Sequence, residues 1–167
     1  MPTILSHPAV PLALGIGLGG HVISRRLLLM GLAAAILPDL DVLSFRLGIS
    51  YGDAFGHRGF SHSLLVAVLS AWAAACASGP LRSSFARVFW FVAVAMASHG
   101  ILDTFTNGGQ GVALLWPGSA ERFFAPVRPI EVSPIGIRRF LSDGAIEVLR
   151  SELTWIWMPA AAVAGAL

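Results

Sequence analysis

The sequence predicts an all-α fold, a helical transmembrane bundle of about four to five apolar helices with a long interfacial loop. Two observations carry this. The chain is 56% hydrophobic and only 12% charged, where a soluble domain carries about 25% charged residues, and its mean hydropathy is +0.76. The apolar residues also fall into long runs with His and Asp gathered at their ends. A soluble chain this small has no interior large enough to hide so much apolar surface, whereas a bilayer removes the need. At 167 residues it is expected to form one membrane-embedded domain, 1–167, with a surface region at 106–152.

Five apolar segments follow in order: about Pro8 to Ile23, Leu27 to Leu37, Ser63 to about Gly79, about Val88 to Phe105, and Leu153 to Leu167. A full crossing takes about 17–25 residues. The third and fourth segments approach that length; the others are short, and the second, stopped at Pro38, reads as a half-span or a buried helix. Between Thr106 and Glu152 the composition turns to Pro, Gly and Arg. This is expected to be a loop at the membrane surface, with an amphipathic helix from Ile135 to about Leu149. Met1 to His7 carries no basic residue and Arg25-Arg26 follow the first apolar run, the reverse of a cleaved signal peptide.

Composition also excludes. The net charge of +2 is scattered, so no nucleic acid is expected as a partner. Cys76 is the sole cysteine, which rules out an internal disulfide and a Cys-rich zinc site. Any metal must be held by His, Asp and Glu.

If the first four segments alternate in direction, as short connections require, their polar ends sort by side. His7 opens the first segment, Asp39 and Asp41 close the second, His57 and His62 precede the third, and His99 and Asp103 close the fourth. All seven then lie at one face. His21 goes to the other, about 21 Å from His7 at 1.5 Å per residue, with Arg25, Arg26, Arg82 and Arg87. Ionisable groups in or beside membrane helices are costly and usually functional. Polar residues also gather at helix ends simply because water is there, which accounts for the aspartates better than for the histidines.

Three motifs fill this face. His99 and Asp103 are four apart, about 40° around a helix, so both can reach one cation; alternatively Asp103 only orients His99 by accepting its ring N–H. Pro38-Asp39-Leu40-Asp41 ends one helix and can start another, and either carboxylate can cap it. Two such close carboxylates need a compensating cation in an apolar site. In His57-Arg58-Gly59-Phe60-Ser61-His62-Ser63, Gly59 suggests a break, with Ser61 capping the third segment. Arg58 suits a bidentate grip on phosphate or carboxylate, or an interface anchor. Imidazole and carboxylate ligands without thiolate suit zinc, and also manganese or iron. Seven candidate ligands suit two ions, or one ion and a general base.

These elements, Leu37-Pro38-Asp39-Leu40-Asp41, His57 through Leu64, and His99-x3-Asp103 after His7, resemble the YdjM-type family of membrane-bound metal-dependent hydrolases, some of them LexA-regulated. That family is similar, at a distance, to zinc-dependent phospholipase C and the zinc nucleases. The resemblance implies one metal held by Asp41, His62, His99 and Asp103, and a second held or supported by His7, Asp39 and His57. It implies an inner-membrane location and hydrolysis, without naming the substrate.

The expected function is metal-assisted hydrolysis of a phosphoester on a lipid or lipid-linked substrate. Asp39 or Asp41 is the expected general base, and Arg58, Arg122 and Arg128 the phosphate-binding residues. The alternative is a metal-ion or proton transporter, which predicts ligands spread through the membrane depth. Short-loop arginines at 25, 26, 82 and 87 favour a cytoplasmic opposite face and an outward-facing site, against the arginines on the site side.

Overall fold

The computed structural model describes residues 1–142 and 144–167. Among these residues the chain is helical with no strand. Isolated bridges at Thr106–Ile130 and Val112–Phe123 pin the long loop onto itself.

The helix starts follow from local chemistry. Helix α1 (Ala9–Leu18) stops at Gly19, whose φ of 72° suits a residue without a Cβ. Helix α2 (Arg25–Ile36) opens on Ser24, whose hydroxyl accepts the Leu27 N–H at 3.1 Å. Helices α3 (Leu64–Cys76) and α4 (Phe85–Thr104) open the same way on Ser63 and Ser84. The cap of α3 is therefore Ser63, and Ser61, expected in that role, bonds Asp41 instead.

The α-helix of the second segment ends just before Pro38 and a new helix starts there, as expected. The α-helix ends at Ile36, but the chain stays helical to Leu47 in a 3-10 winding. Proline lacks the N–H and cannot continue an α-helical ladder, yet its fixed φ suits the first turn of a new helix. Together Arg25–Leu47 and α4 are the helices long and apolar enough to cross a membrane, whereas α1 and α3 are apolar but shorter. Where the third and fourth segments were expected to be the longest, the long apolar helices among the described residues are the second, extended to Leu47, and the fourth, packed with shorter ones.

The C-terminal part comprises α5 (Ile137–Ser142), α6 (Ala145–Glu152), a π-helical turn Leu153–Trp157, and α7 (Met158–Ala166). The expected amphipathic helix from Ile135 to about Leu149 is divided between α5 and α6; position 143, within that range, lies outside the described residues.

Small residues let the helices approach closely. Ala67, Ala71 and Ala75 form a buried stripe on α3, the helix that packs most extensively on α4. The ring of Phe91 on α4 fills the space a side chain on Gly31 of α2 would need. Such packing suits helices in lipid, where hydrophobicity alone gives no reason to associate. Leu29, Trp72, Trp90 and Trp155 remain more than half exposed, an apolar exterior suited to a bilayer.

Candidate metal centre

Five side chains converge where α2, α4 and the two 3-10 segments meet. His7 comes from the turn before α1, Asp39 from the first turn of Leu37–Leu47, His62 from the 3-10 turn Phe60–His62, and His99 and Asp103 from the last turns of α4. All five are buried. His99 Nε2 lies 3.0 Å from His62 Nε2 and 3.4 Å from Asp39 Oδ1. His62 Nε2 lies 3.4 Å from Asp103 Oδ2. His7 Nε2 is 3.7 Å from both Asp39 Oδ2 and Asp103 Oδ1, and its ring stacks on His99 with centroids 3.6 Å apart.

The far side of two of these rings is already fixed. His99 Nδ1 donates to the carbonyl of Ala35 at 2.7 Å. In a 3-10 winding that carbonyl would receive the N–H of residue 38, which is a proline; the interruption that ends α2 therefore also frees the acceptor that orients His99. His62 Nδ1 lies 3.1 Å from Asp41 Oδ2. The two Nε2 atoms are left facing one another, the lone pair of His99 toward the proton that His62 holds. Gly100 makes this approach feasible, since a Cβ there would stand 2.6 Å from the carbonyl oxygen of His62.

Asp41 belongs to a surrounding layer. Its Oδ1 meets His57 Nδ1 at 2.5 Å, and its Oδ2 also accepts from Ser61 Oγ at 2.7 Å and from the Arg58 N–H at 3.0 Å. Asp39 and Asp103 contrast with it: all four of their carboxylate oxygens, with both ring nitrogens of His7, are buried without a hydrogen-bond partner. Leaving a buried polar atom unpaired costs about 1–3 kcal/mol, more for a charge. A divalent cation ligated by these atoms removes that cost, and the N/O donor chemistry fits one. The groups His7, His99, Asp103 and Asp39, His62, His99 each offer ligand atoms within 4.8 Å of one another.

Protonation follows the same division. Burial and the neighbouring His99 push His7 down to about 3, so it is neutral, as a ligand must be. Burial alone would also lower His62, but the neighbouring carboxylates of Asp103 and Asp41 outweigh burial and raise it to about 9.

The arginines are placed differently from the phosphate clamp the sequence suggests. Arg58, at φ 59°, turns inward and is fully buried. Its Nε makes an ion pair with Asp103 Oδ2 at 3.0 Å without hydrogen-bond alignment, while Nη1 and Nη2 donate to Gly108 O and Thr106 Oγ1. Arg122 donates to the carbonyls of His57, Tyr51 and Asp53, tying the loop down. Arg128 stacks over the Phe124 ring at 4.8 Å on the surface. His21 sits exposed in the turn before α2.

Sequence reasoning missed Glu152, buried and bonded to Thr3 and Ser6. The available signal was an isolated carboxylate at the mouth of an apolar segment.

A family model, the YdjM inner membrane protein, matches residues 1–167. The chain belongs to the YdjM inner membrane protein family. Among curated proteins it is 46% identical to the inner membrane protein YbcI of Escherichia coli strain K12, over 100% of this chain and 97% of that one. No solved structure matches. Like its relatives, this YdjM-family member is an inner membrane protein, with helices compatible with spanning the bilayer.

Proposed function

We propose that this protein is a membrane-bound metal-dependent hydrolase that cleaves a phosphoester of a lipid or lipid-linked substrate. The observation that carries the reading is the pair of Nε2 atoms 3.0 Å apart, each with its Nδ1 engaged behind it. Ligand atoms about 2.05 Å from a tetrahedral ion sit roughly 3.3 Å apart. Neighbouring donors among the inner five come within 3.0–3.7 Å of one another, and because the two candidate ligand groups share His99 our reading is one ion shared between them rather than the two expected from the count of candidates. Each imidazole can present only one nitrogen to it, and Asp41 and His57 serve behind His62 as orienting groups.

When bound, the ion supplies Lewis-acid stabilisation and lowers the pKa of water toward about 7. His7, His62, His99 and Asp103 would hold it. Asp39 completes the donor set and is also the inner member that lines an apolar cavity of about 430 Å³, with Ile4, Leu5, Val42, Ile135 and Phe140. That volume lies in the range of small-ligand sites. That position supports the reading of Asp39 as the group that takes the proton of the attacking water, and the apolar wall favours an amphiphile over a soluble ester. A larger cavity of about 440 Å³ on the other side of the 3-10 helix meets Asp41, whose oxygens are already spent. Arg58 neutralises Asp103 rather than gripping substrate. One divalent ion and Arg58 together exceed the charge of Asp39 and Asp103, which suits an anionic headgroup.

Metal analysis of detergent-purified protein before and after chelation, paired with turnover of a phosphodiester panel by wild type and His99→Ala, tests this. The expected result is about one divalent ion per chain and activity lost with it. Activity in metal-free protein, or a fully active His99→Ala, overturns the reading. A transporter would need polar groups continuing toward His21; Leu27, Ala34, Val88, Phe91 and Val92 fill that route with buried apolar side chains.

A further inference from the structure

Glu152 is the buried carboxylate that the proposed chemistry does not use. It closes α6, is 1% exposed, and stands 149 residues from its main partner. One oxygen accepts the backbone N–H of Thr3; the other accepts Thr3 Oγ1 at 2.7 Å and Ser6 Oγ at 2.7 Å. Three donors around one carboxylate satisfy a charge that would otherwise be expensive to bury. All three come from the short turn immediately before His7.

The π-helical turn explains how one helix reaches this turn twice. Residues five apart on an α-helix point about 140° away from each other. Leu153–Trp157 winds with the Met158 N–H bonded to Leu153 O, five residues back. In that winding residues five apart come back to one face. Glu152 and Trp157 are five apart, and both engage Ser6: Glu152 accepts its hydroxyl proton and Trp157 Nε1 donates to its oxygen at 3.0 Å. π-turns recur at functional positions in helices.

We infer that Glu152 is a positioning residue for His7: through Thr3 and Ser6 it holds the turn that stacks the His7 ring on His99 and aims Nε2 at Asp39 and Asp103. The assignment of His7 as a ligand rests on the metal-centre reading; the mechanical link does not. Glu152→Gln keeps the size but replaces one acceptor with a donor facing groups that are themselves donors.

Two measurements on the full-length protein in detergent decide it. Carbethoxylation by diethylpyrocarbonate, mapped by mass spectrometry, reads His7 access with or without metal. Glu152→Gln is expected to speed modification of His7 at least tenfold and leave His57 and His62 unchanged. Zn(II) affinity is expected to fall about 10–100-fold, and not to fall further when Glu152→Gln is added to His7→Ala. Trp157→Phe, which removes one donor and keeps the packing, should give a smaller change in the same direction. Unchanged His7 modification, a uniform rise at all histidines, or additive affinity losses would overturn the inference. Should wild type take up no Zn(II), the metal-centre reading fails while carbethoxylation still judges Glu152.

Discussion

Asp39 and Asp41 lie two residues apart on one 3-10 helix and have opposite surroundings. At three residues per turn, that spacing points them about 120° apart. Asp39 faces inward to His7 and His99 with both oxygens unpaired, whereas Asp41 faces the 57–62 turn and accepts from His57, Arg58, Ser61 and His62. The same chemical group is a candidate ligand and base in one position and a scaffold for a ligand in the other. Coordination is decided by which atoms are left unspent, not by residue type.

Substitutions can break or sharpen this contrast. The largest loss is expected inside. Asp39→Asn should lower hydrolysis about 10²–10⁴-fold, the usual worth of a general base, while His99→Ala abolishes metal uptake, both checked by turnover and metal content. Asp41→Asn should act at one remove, weakening Zn(II) binding about 10–100-fold; equal losses from Asp39→Asn and Asp41→Asn in metal titrations would erase the distinction. Gly100→Ala, which crowds the His62 carbonyl, should destabilise by about 1–3 kcal/mol as overpacking does, read from denaturation. Arg128→Ala, on the exposed surface, should stay within about 0.5 kcal/mol.

Proton binding sharpens it in another way. His62 rises from an ordinary 6.5 to about 9 in the folded protein. A raised folded-state value stabilises fully below the unfolded value and is lost as pH climbs through the folded one. Chelated protein should therefore melt at progressively lower temperature from pH 6.5 to 9, while His7, held near 3, stays neutral across that window. Zn(II) replaces the proton on the same nitrogen, so metal-loaded protein should lack this decline. A melting temperature that rises with pH after chelation would contradict the arrangement at His62.

Alternating apolar segments were enough to bring seven residues to one end, because helix direction and short turns leave little choice. What they could not give was the division into an inner five and an outer pair. That depends on a 3-10 rather than an α winding after Pro38, which rotates Asp41 away from Asp39. It also depends on the left-handed backbone at Arg58, which sends a side chain expected to reach a substrate into the protein instead. Ala35 contributes a carbonyl, and no side-chain pattern announces a backbone acceptor. Glu152 was hidden by distance along the chain, since its partners are at the opposite terminus.

That distance has a consequence for biogenesis. His7 is made well before the carboxylate that seats its turn, which follows some 146–149 residues behind the partners it bonds. Contacts between chain ends form late, since the longest loop must close before they reward the chain. The cluster is thus completed only after α6 has been made. A nascent chain arrested before α6 should carry α1 to α4 in place and still present His7 to solvent, so on the proposed reading ion loading would wait until α6 has been made.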